Sequence, residues 1–388
     1  MKFAKRMDVF GESIFTTLSK MRQERASKGL EVIDLSIGAP NIKPDPRIVN
    51  KLTEETNNRD NYMYAITDLP ELQEAVQSWY KRRYGVDIDP RTEVTSMLGS
   101  QEGLSHLALI LIDEGDTVLI PDPCYPIFRD GPLLAGAKVV GMPLLKENDY
   151  VIDLDSIDDK VADEAKLMVV SYPNNPTCGV APASFYRDLI KFAKKHDIVV
   201  LHDNAYSELS FEQDGHSFLE YEGAKDVGIE FNSLSKTYAI AGARCGFMIG
   251  NSEIIAKYKI LKSNMDYGMF LPIQRAAIEA IMGDQEVVSK TREAYRHRRD
   301  LFVNGCREIG WDIDLPKGSM FVWAKIPDKF KDSESFTYEL FDKTGVLVVP
   351  GKAFGDHGEG FVRIALVQDD DVMRHAFKLM DESGLFRE

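Results

Sequence analysis

The chain has 388 residues, 62 of them acidic and 47 basic, for a formal net charge of −15. That length exceeds what one hydrophobic core supports, so two domains are expected, and the acidic balance argues against a nucleic-acid surface. No apolar run is long enough for a membrane span. The residues after Met1 lack the apolar core of a secretory leader, and Cys124, Cys178, Cys245 and Cys306 form neither a CxxC pair nor a Cys/His metal pattern. The expectation is a cytoplasmic protein with no disulfide framework, no metal and no membrane or nucleic-acid partner.

In chain order, a strand is predicted at Val94–Leu98, followed by Gly99-Ser100-Gln101-Glu102 and a helix carrying Leu104, Leu107, Ala108 and Leu111 at helical spacing. Asp116–Pro121 reads as the next strand. Lys166–Tyr172 is another, stopped by Pro173-Asn174-Asn175-Pro176. Phe185, Leu189, Phe192 and Ala193 form one face of a helix before a strand at Ile198–Leu201, which runs into His202-Asp203-Asn204-Ala205-Tyr206. A further strand, Gly228–Asn232, ends in Ser233-Leu234-Ser235-Lys236. This alternation predicts an α/β unit with a parallel sheet. Beyond about residue 285 the pattern changes: an Arg-rich amphipathic helix at Thr291–Glu308, then strands at Phe321–Ala324, Val346–Val349 and Phe361–Ala365, as in a smaller α+β unit. The expected division is an N-terminal arm with part of the small domain (1–45), a large domain (46–285) and a small C-terminal domain (286–388).

Ligands of open α/β sheets bind outside the carboxyl ends of the strands. Four successive ends carry polar groups: Ser100 with Gln101, Asn175, Asp203 with Tyr206, and Ser233 and Ser235 with Lys236. Singly these are helix caps, turn residues or a solvated lysine. Gathered on one edge, they suit one ligand. A helix N-terminus with hydroxyls and Arg244 nearby suits a phosphate. Asp203 can keep a pyridine nitrogen protonated, Asn175 and Tyr206 can donate to a phenolate oxygen, and Lys236 can form a Schiff base. Together they describe a site for pyridoxal 5'-phosphate.

The motifs Ser171-Tyr-Pro-Asn-Asn-Pro-Thr177, His202-Asp-Asn-Ala-Tyr206, Ser233-Leu-Ser-Lys236, Ala241-Gly-Ala-Arg-Cys-Gly246 and Val362-Arg-Ile-Ala365 stand in an order that resembles the class I/II aminotransferases of fold type I. Pro70–Val76, Trp79–Gly85 and Gly228–Lys236 resemble the branch of LL-diaminopimelate, alanine and aspartate aminotransferases. The resemblance implies a large domain with a mostly parallel seven-stranded sheet between helices. It implies ping-pong transfer of an amino group between an L-amino acid and a 2-oxo acid, and a homodimer with a shared active site. By the same resemblance Lys236 is the Schiff-base lysine, Asp203 the partner of the pyridinium nitrogen, and Tyr125 the residue stacked on the ring. Tyr206 and Asn175 bond the ring oxygen, and Ser100, Gln101, Ser233, Ser235 and Arg244 hold the phosphate. Arg363 and Asn175, with the backbone at Gly38, bind the substrate carboxylate. Tyr64, or else Tyr62, reaches the neighbouring subunit's phosphate.

Three positions depart from the family pattern: Cys178 where glycine is usual, a shortened Ala65–Pro70 loop, and Ala243 where a bulky aromatic is frequent. Cys178 is expected to pack and His202 to be structural or close to the cofactor. The Arg-rich helix is read as a solvated face with its apolar stripe inward, and Phe321, Trp323 and Phe361 as small-domain core, Phe321 bordering the substrate. Two rival readings are a carbon–sulfur β-lyase on the same scaffold and a non-catalytic effector-binding module.

Overall fold

The first strand, β1 (Ile33–Asp34), is set apart from the strands that follow it. The next seven are β2 (Val94–Met97), β3 (Thr117–Asp122), β4 (Lys138–Pro143), β5 (Ala165–Ser171), β6 (Val199–Asp203), β7 (Gly228–Ser233) and β8 (Gly246–Gly250). They form one sheet in the order β2-β8-β7-β6-β5-β3-β4. Strands β4, β3, β5, β6 and β7 are mutually parallel, and β8 runs antiparallel to both β7 and β2. The computed structural model that carries this description covers residues 1–387.

The inner strands are apolar on both faces, as a sheet covered on two sides requires. In β5, Met168 and Val170 point into one core with Trp79, Phe185 and Ala276, whereas Leu167 and Val169 point into the other with Leu107, Phe128 and Tyr258. The first core is roofed by helices Pro46–Asn57, Pro70–Tyr84, Ala183–His196 and Leu271–Met282, the second by Ser100–Leu111, Ile127–Ala135 and Ser252–Met265. Among the described residues, no helix is long and apolar enough to cross a membrane.

The remaining strands are β9 (Phe321–Lys325), β10 (Val346–Leu347), β11 (Val349–Pro350) and β12 (Phe361–Ala365). Strands β11, β12 and β9 make an antiparallel sheet, and β10 pairs in parallel with β1, Ile33 opposite Val346. A third core joins Leu18, Ile33 and Leu35 to Phe302, Trp323, Phe336 and Ile364, so both ends of the chain share it.

Two expectations need correction. Val346–Val349 is not one strand, because the chain passes from one sheet to another at Val348 and every residue of the run stays buried. An unbroken apolar run carries no periodicity that reveals such a switch. The helix read as Thr291–Glu308 spans Glu286–Glu308, and its arginines are not all solvated. Arg298 and Arg299 are buried; Arg298 donates to Asn41 Oδ1 (2.6 Å) and the carbonyl of Leu366, and Arg299 to Glu212 Oε1 (2.8 Å) and the carbonyl of Pro316.

Candidate active site

The parallel register brings the strand ends level. Ser171 closes β5 opposite Asp203 of β6, and Ser233 closes β7 opposite Gly246 of β8, which in turn faces Met97 of β2. Strand β2 runs in the same sense as β7, so Gly99 and the helix from Ser100 leave from that same edge. A cavity of ≈ 520 Å³ opens there, between the sheet edge and the small unit. Of the residues singled out in the sequence, Gly38, Ser100, Gln101, Tyr125, Asn175, Asp203, Tyr206, Ser233, Ser235, Lys236, Arg244 and Arg363 all line it. Tyr64 does not: it is 82% exposed and packs on Tyr267 at 5.7 Å between ring centroids, while Tyr62 is also exposed and packs on Phe270.

One end of the cavity is built for an anion. Ser233 Oγ donates to Ser235 Oγ at 2.9 Å and accepts from the Ser235 backbone N–H, which fixes both hydroxyls beside the first turn of helix Ser100–Leu111. Arg244 has a left-handed backbone (φ 55°) and turns its guanidinium over Gly99, reaching the carbonyls of Ala241 at 3.1 Å and Leu98 at 3.5 Å. A Cβ on Gly99 would lie 2.3 Å from Arg244 Nη2, so this approach requires glycine.

The middle holds two groups whose charges burial disfavours. The Asp203 carboxyl is pushed up to about 7 by desolvation, against the pull of His202 and Lys236. Desolvation, with Arg363 and Arg244, pulls the Lys236 ammonium down to about 8, and its Nζ donates to the Gly38 carbonyl at 2.5 Å. Behind Asp203, on the opposite face of β6, His202 Nδ1 meets Glu230 Oε2 at 2.8 Å, both fully buried. Glu230 also accepts from Tyr80, Ser217 and the Phe218 N–H, so His202 belongs to the packing of the sheet.

At the far end Arg363 is buried. It donates from Nη1 to Asn175 Oδ1 (3.0 Å) and from Nη2 to the Ser36 carbonyl (2.8 Å). Its guanidinium sits against the rings of Phe321 (4.4 Å), Phe354 (4.8 Å) and Phe15 (5.7 Å). Desolvation lowers its pKa to about 10, so it stays cationic at neutral pH. Phe321 lines the cavity as well. Cys178 is buried beside Ser319 and the Phe321 carbonyl, its thiol pushed up to about 12, so it packs as expected. Its φ of 64° explains why glycine suits that position.

Three buried polar atoms of the lining have no partner among the described residues: Asp203 Oδ1, Ser100 Oγ and Arg363 Nε. Ten other buried polar atoms among the described residues also lack partners, so it is the gathering of these three on one cavity wall that points to a ligand. Their order fits pyridoxal phosphate and an amino acid, with a hydroxyl at the phosphate end, a carboxyl in the middle and a guanidinium beyond. A possible metal grouping, Glu102, His106 and Asp266, already holds a cation, since Lys262 Nζ donates to Glu102 (2.8 Å) and Asp266 (3.1 Å).

Sequence reading missed the lining supplied by the N-terminal helix Ile14–Ser27, namely Phe15, Leu18, Ser19 and Arg22, and also Asp34 of β1. Those helix positions are spaced i, i+3, i+4 and i+7, which is one face. That spacing was the available signal, but Ser19 and Arg22 mask it as an apolar stripe.

A doubly wound sheet with a lysine, a carboxyl and a pair of hydroxyls beside an arginine at its edge is an arrangement that suits an enzyme working through pyridoxal phosphate. The chain belongs to the aminotransferase class I and II family, whose model matches residues 31–379. It is therefore a pyridoxal phosphate-dependent amino-acid transaminase. It is 41% identical to an LL-diaminopimelate aminotransferase of Halothermothrix orenii over 99% of both chains. Among solved structures, substrate-bound BacF of Bacillus subtilis superposes with a TM-score of 0.97 at 37% identity, covering 100% of this chain and 99% of that one. A probable N-succinyldiaminopimelate aminotransferase of Thermus thermophilus superposes with a TM-score of 0.91 at 34% identity, covering 96% of this chain and 100% of that one.

Proposed function

We propose that this cavity carries out both halves of the transamination and that each lining residue has a separable task. Ser100, Gln101, Ser233, Ser235 and Arg244 would hold the phosphate of the cofactor, Tyr125 would lie on its ring, and Asn175 and Tyr206 would donate to its ring oxygen. When bound, pyridoxal phosphate supplies a carbonyl that condenses with amines and a cationic ring that accepts the electrons of a breaking Cα–H bond.

The chain's own part is positional and protonic. Asp203 keeps a proton on the ring nitrogen, and the orphaned Oδ1 is the observation that carries this reading. Lys236 would hold the cofactor through its amine, and as a free amine, which burial brings down to about 8 in the cofactor-free chain, it would take and return the substrate Cα proton. Arg363 offers two parallel N–H groups to the substrate α-carboxylate, with Asn175 and the Gly38 backbone beside it. The aromatic rings around Arg363 exclude water from that pair.

We further propose a homodimer with shared active sites, residing in the cytoplasm. Tyr62, Met63, Tyr64, Ile66, Met265, Tyr267 and Phe270 form an exposed apolar region, and a soluble monomer rarely leaves so many together. We also propose a division near residues 45 and 285 into large and small domains; the separate cores support it, with Cys178, Tyr206 and Leu209 crossing into the third core and Val288 into the first. Diaminopimelate, named in the curated relative, is one donor to include in the first panel. The deciding experiment is borohydride reduction of the holoenzyme followed by peptide mapping. The cofactor is expected on Lys236, and labelling of another lysine would overturn the assignment.

A further inference from the structure

A charged pair in the substrate half of the cavity has no task in the reading above. Arg22 and Asp34 both line the cavity. Asp34 Oδ1 accepts from the backbone N–H and the hydroxyl of Ser36, at 2.9 and 2.6 Å, and its Oδ2 accepts from Arg22 Nη1 at 2.8 Å. The carbonyl of the same Ser36 receives Arg363 Nη2. A continuous run of hydrogen bonds thus leads from Arg363 through Ser36 and Asp34 to Arg22. Among the described residues, Arg22 Nε and Nη2 have no hydrogen-bond acceptor, and the side chain is 36% exposed against 17% for Asp34.

Four cations line the cavity, Arg22, Lys236, Arg244 and Arg363, against two anions, Asp34 and Asp203. Three of the cations are engaged in the proposed function: Lys236 with the cofactor, Arg244 with its phosphate and Arg363 with the α-carboxylate. Arg22 is left, with two N–H groups open to a carboxylate. Phe15, Leu18, Ile37 and Leu347 supply apolar lining in the same cavity for methylene groups. A ping-pong transaminase must also accept two side chains in one place. With a ligand that has no second carboxylate, Arg22 keeps Asp34 as its partner, so no unpaired charge is left in the cavity.

We infer that Arg22, held by Asp34, is the receptor for the ω-carboxylate of a dicarboxylic amino acid or 2-oxo acid whose α-carboxylate lies on Arg363. The inference rests on that assignment of Arg363.

The test compares wild-type holoenzyme with Arg22→Gln and Arg22→Lys. The readout is the ratio of kcat/KM for L-glutamate to that for L-alanine, with 2-oxoglutarate and pyruvate as the reverse pair. Loss of a charged hydrogen bond predicts that Arg22→Gln lowers both ratios by about ten- to a hundredfold, with Arg22→Lys in between. Glutarate, an unreactive dicarboxylate, should inhibit wild type better than butyrate and lose that advantage in Arg22→Gln. Ratios within twofold of wild type, or glutarate inhibition unaltered, would overturn the inference while leaving the Arg363 assignment intact. Arg363→Lys provides the separate control. If it leaves KM unchanged for alanine and glutamate alike, the α-carboxylate assignment falls and this inference falls with it.

Discussion

Asp203 shows how a single residue couples function to folding. Its carboxyl rises from an ordinary 3.8 to about 7 because the cavity floor desolvates it. Below pH 3.8 the folded and unfolded chains both hold the proton. Between 3.8 and about 7 the folded chain alone holds it, so stability falls as pH rises through that window. Above it the full cost of a buried carboxylate stands. In cofactor-free protein, Asp203→Asn is therefore expected to be more stable than wild type at pH 8, by on the order of 4 kcal/mol, and nearly equal to it at pH 4. Urea unfolding at the two pH values measures this. An equal stability difference at both would mean the carboxyl is not desolvated. In holoenzyme the same substitution should lower kcat by about a hundredfold, so that stability and activity move in opposite directions.

At the scale of elements, the proposed phosphate end depends on one turn between β2 and the helix Ser100–Leu111. Gly99 has φ +79°, and any Cβ there would strike the Arg244 guanidinium. Gly99→Ala should weaken retention of pyridoxal phosphate by about tenfold, from backbone strain of roughly 1 kcal/mol plus displacement of Arg244. Equilibrium dialysis checks this, with an unchanged far-ultraviolet spectrum excluding unfolding. This part of the site was legible in the sequence because its residues are polar groups at predicted strand ends. So were five strands of the large sheet, whose apolar runs are bounded by turn residues. Strands β4 and β8 were not, since Lys138–Pro143 lies at the half-exposed edge and Gly246–Gly250 is a short run bounded by glycines. Arg22 and Asp34 were equally hidden. Their position depends on β1 pairing with β10 from the far end of the chain, a contact that no local pattern encodes.

For the whole molecule, the question is what covers Tyr64. Its ring lies outside the cavity of its own chain, on the apolar region with Tyr267. If two copies meet there and each lends Tyr64 to the other's phosphate, two inactive variants should rescue each other. In a hybrid of Lys236→Ala and Tyr64→Ala subunits, one site carries both lesions and the other carries neither. Co-refolding the two should restore activity up to about half of wild type per hybrid dimer, because one of its two sites is intact. Sedimentation would confirm the hybrid. Hybrids with no recovered activity would show that Tyr64 serves its own chain, and full activity of Tyr64→Ala alone would show that it serves neither site.

The pairing of Ile33 with Val346 also has a consequence for synthesis. A chain leaving the ribosome forms its N-terminal units first. By the time Gly250 has emerged, all seven strands of the large sheet exist, with Asp203 and Lys236 already at its edge. The segment bearing Asp34, Ser36 and Gly38, made long before, must wait for β10 before its own strand has a partner, and Arg363 arrives later still. The nascent protein can thus present a cofactor cradle before it has a place for substrate. If Lys236 and Arg363 have the roles proposed for them, the chain can capture its cofactor before it has a site for the substrate carboxylate.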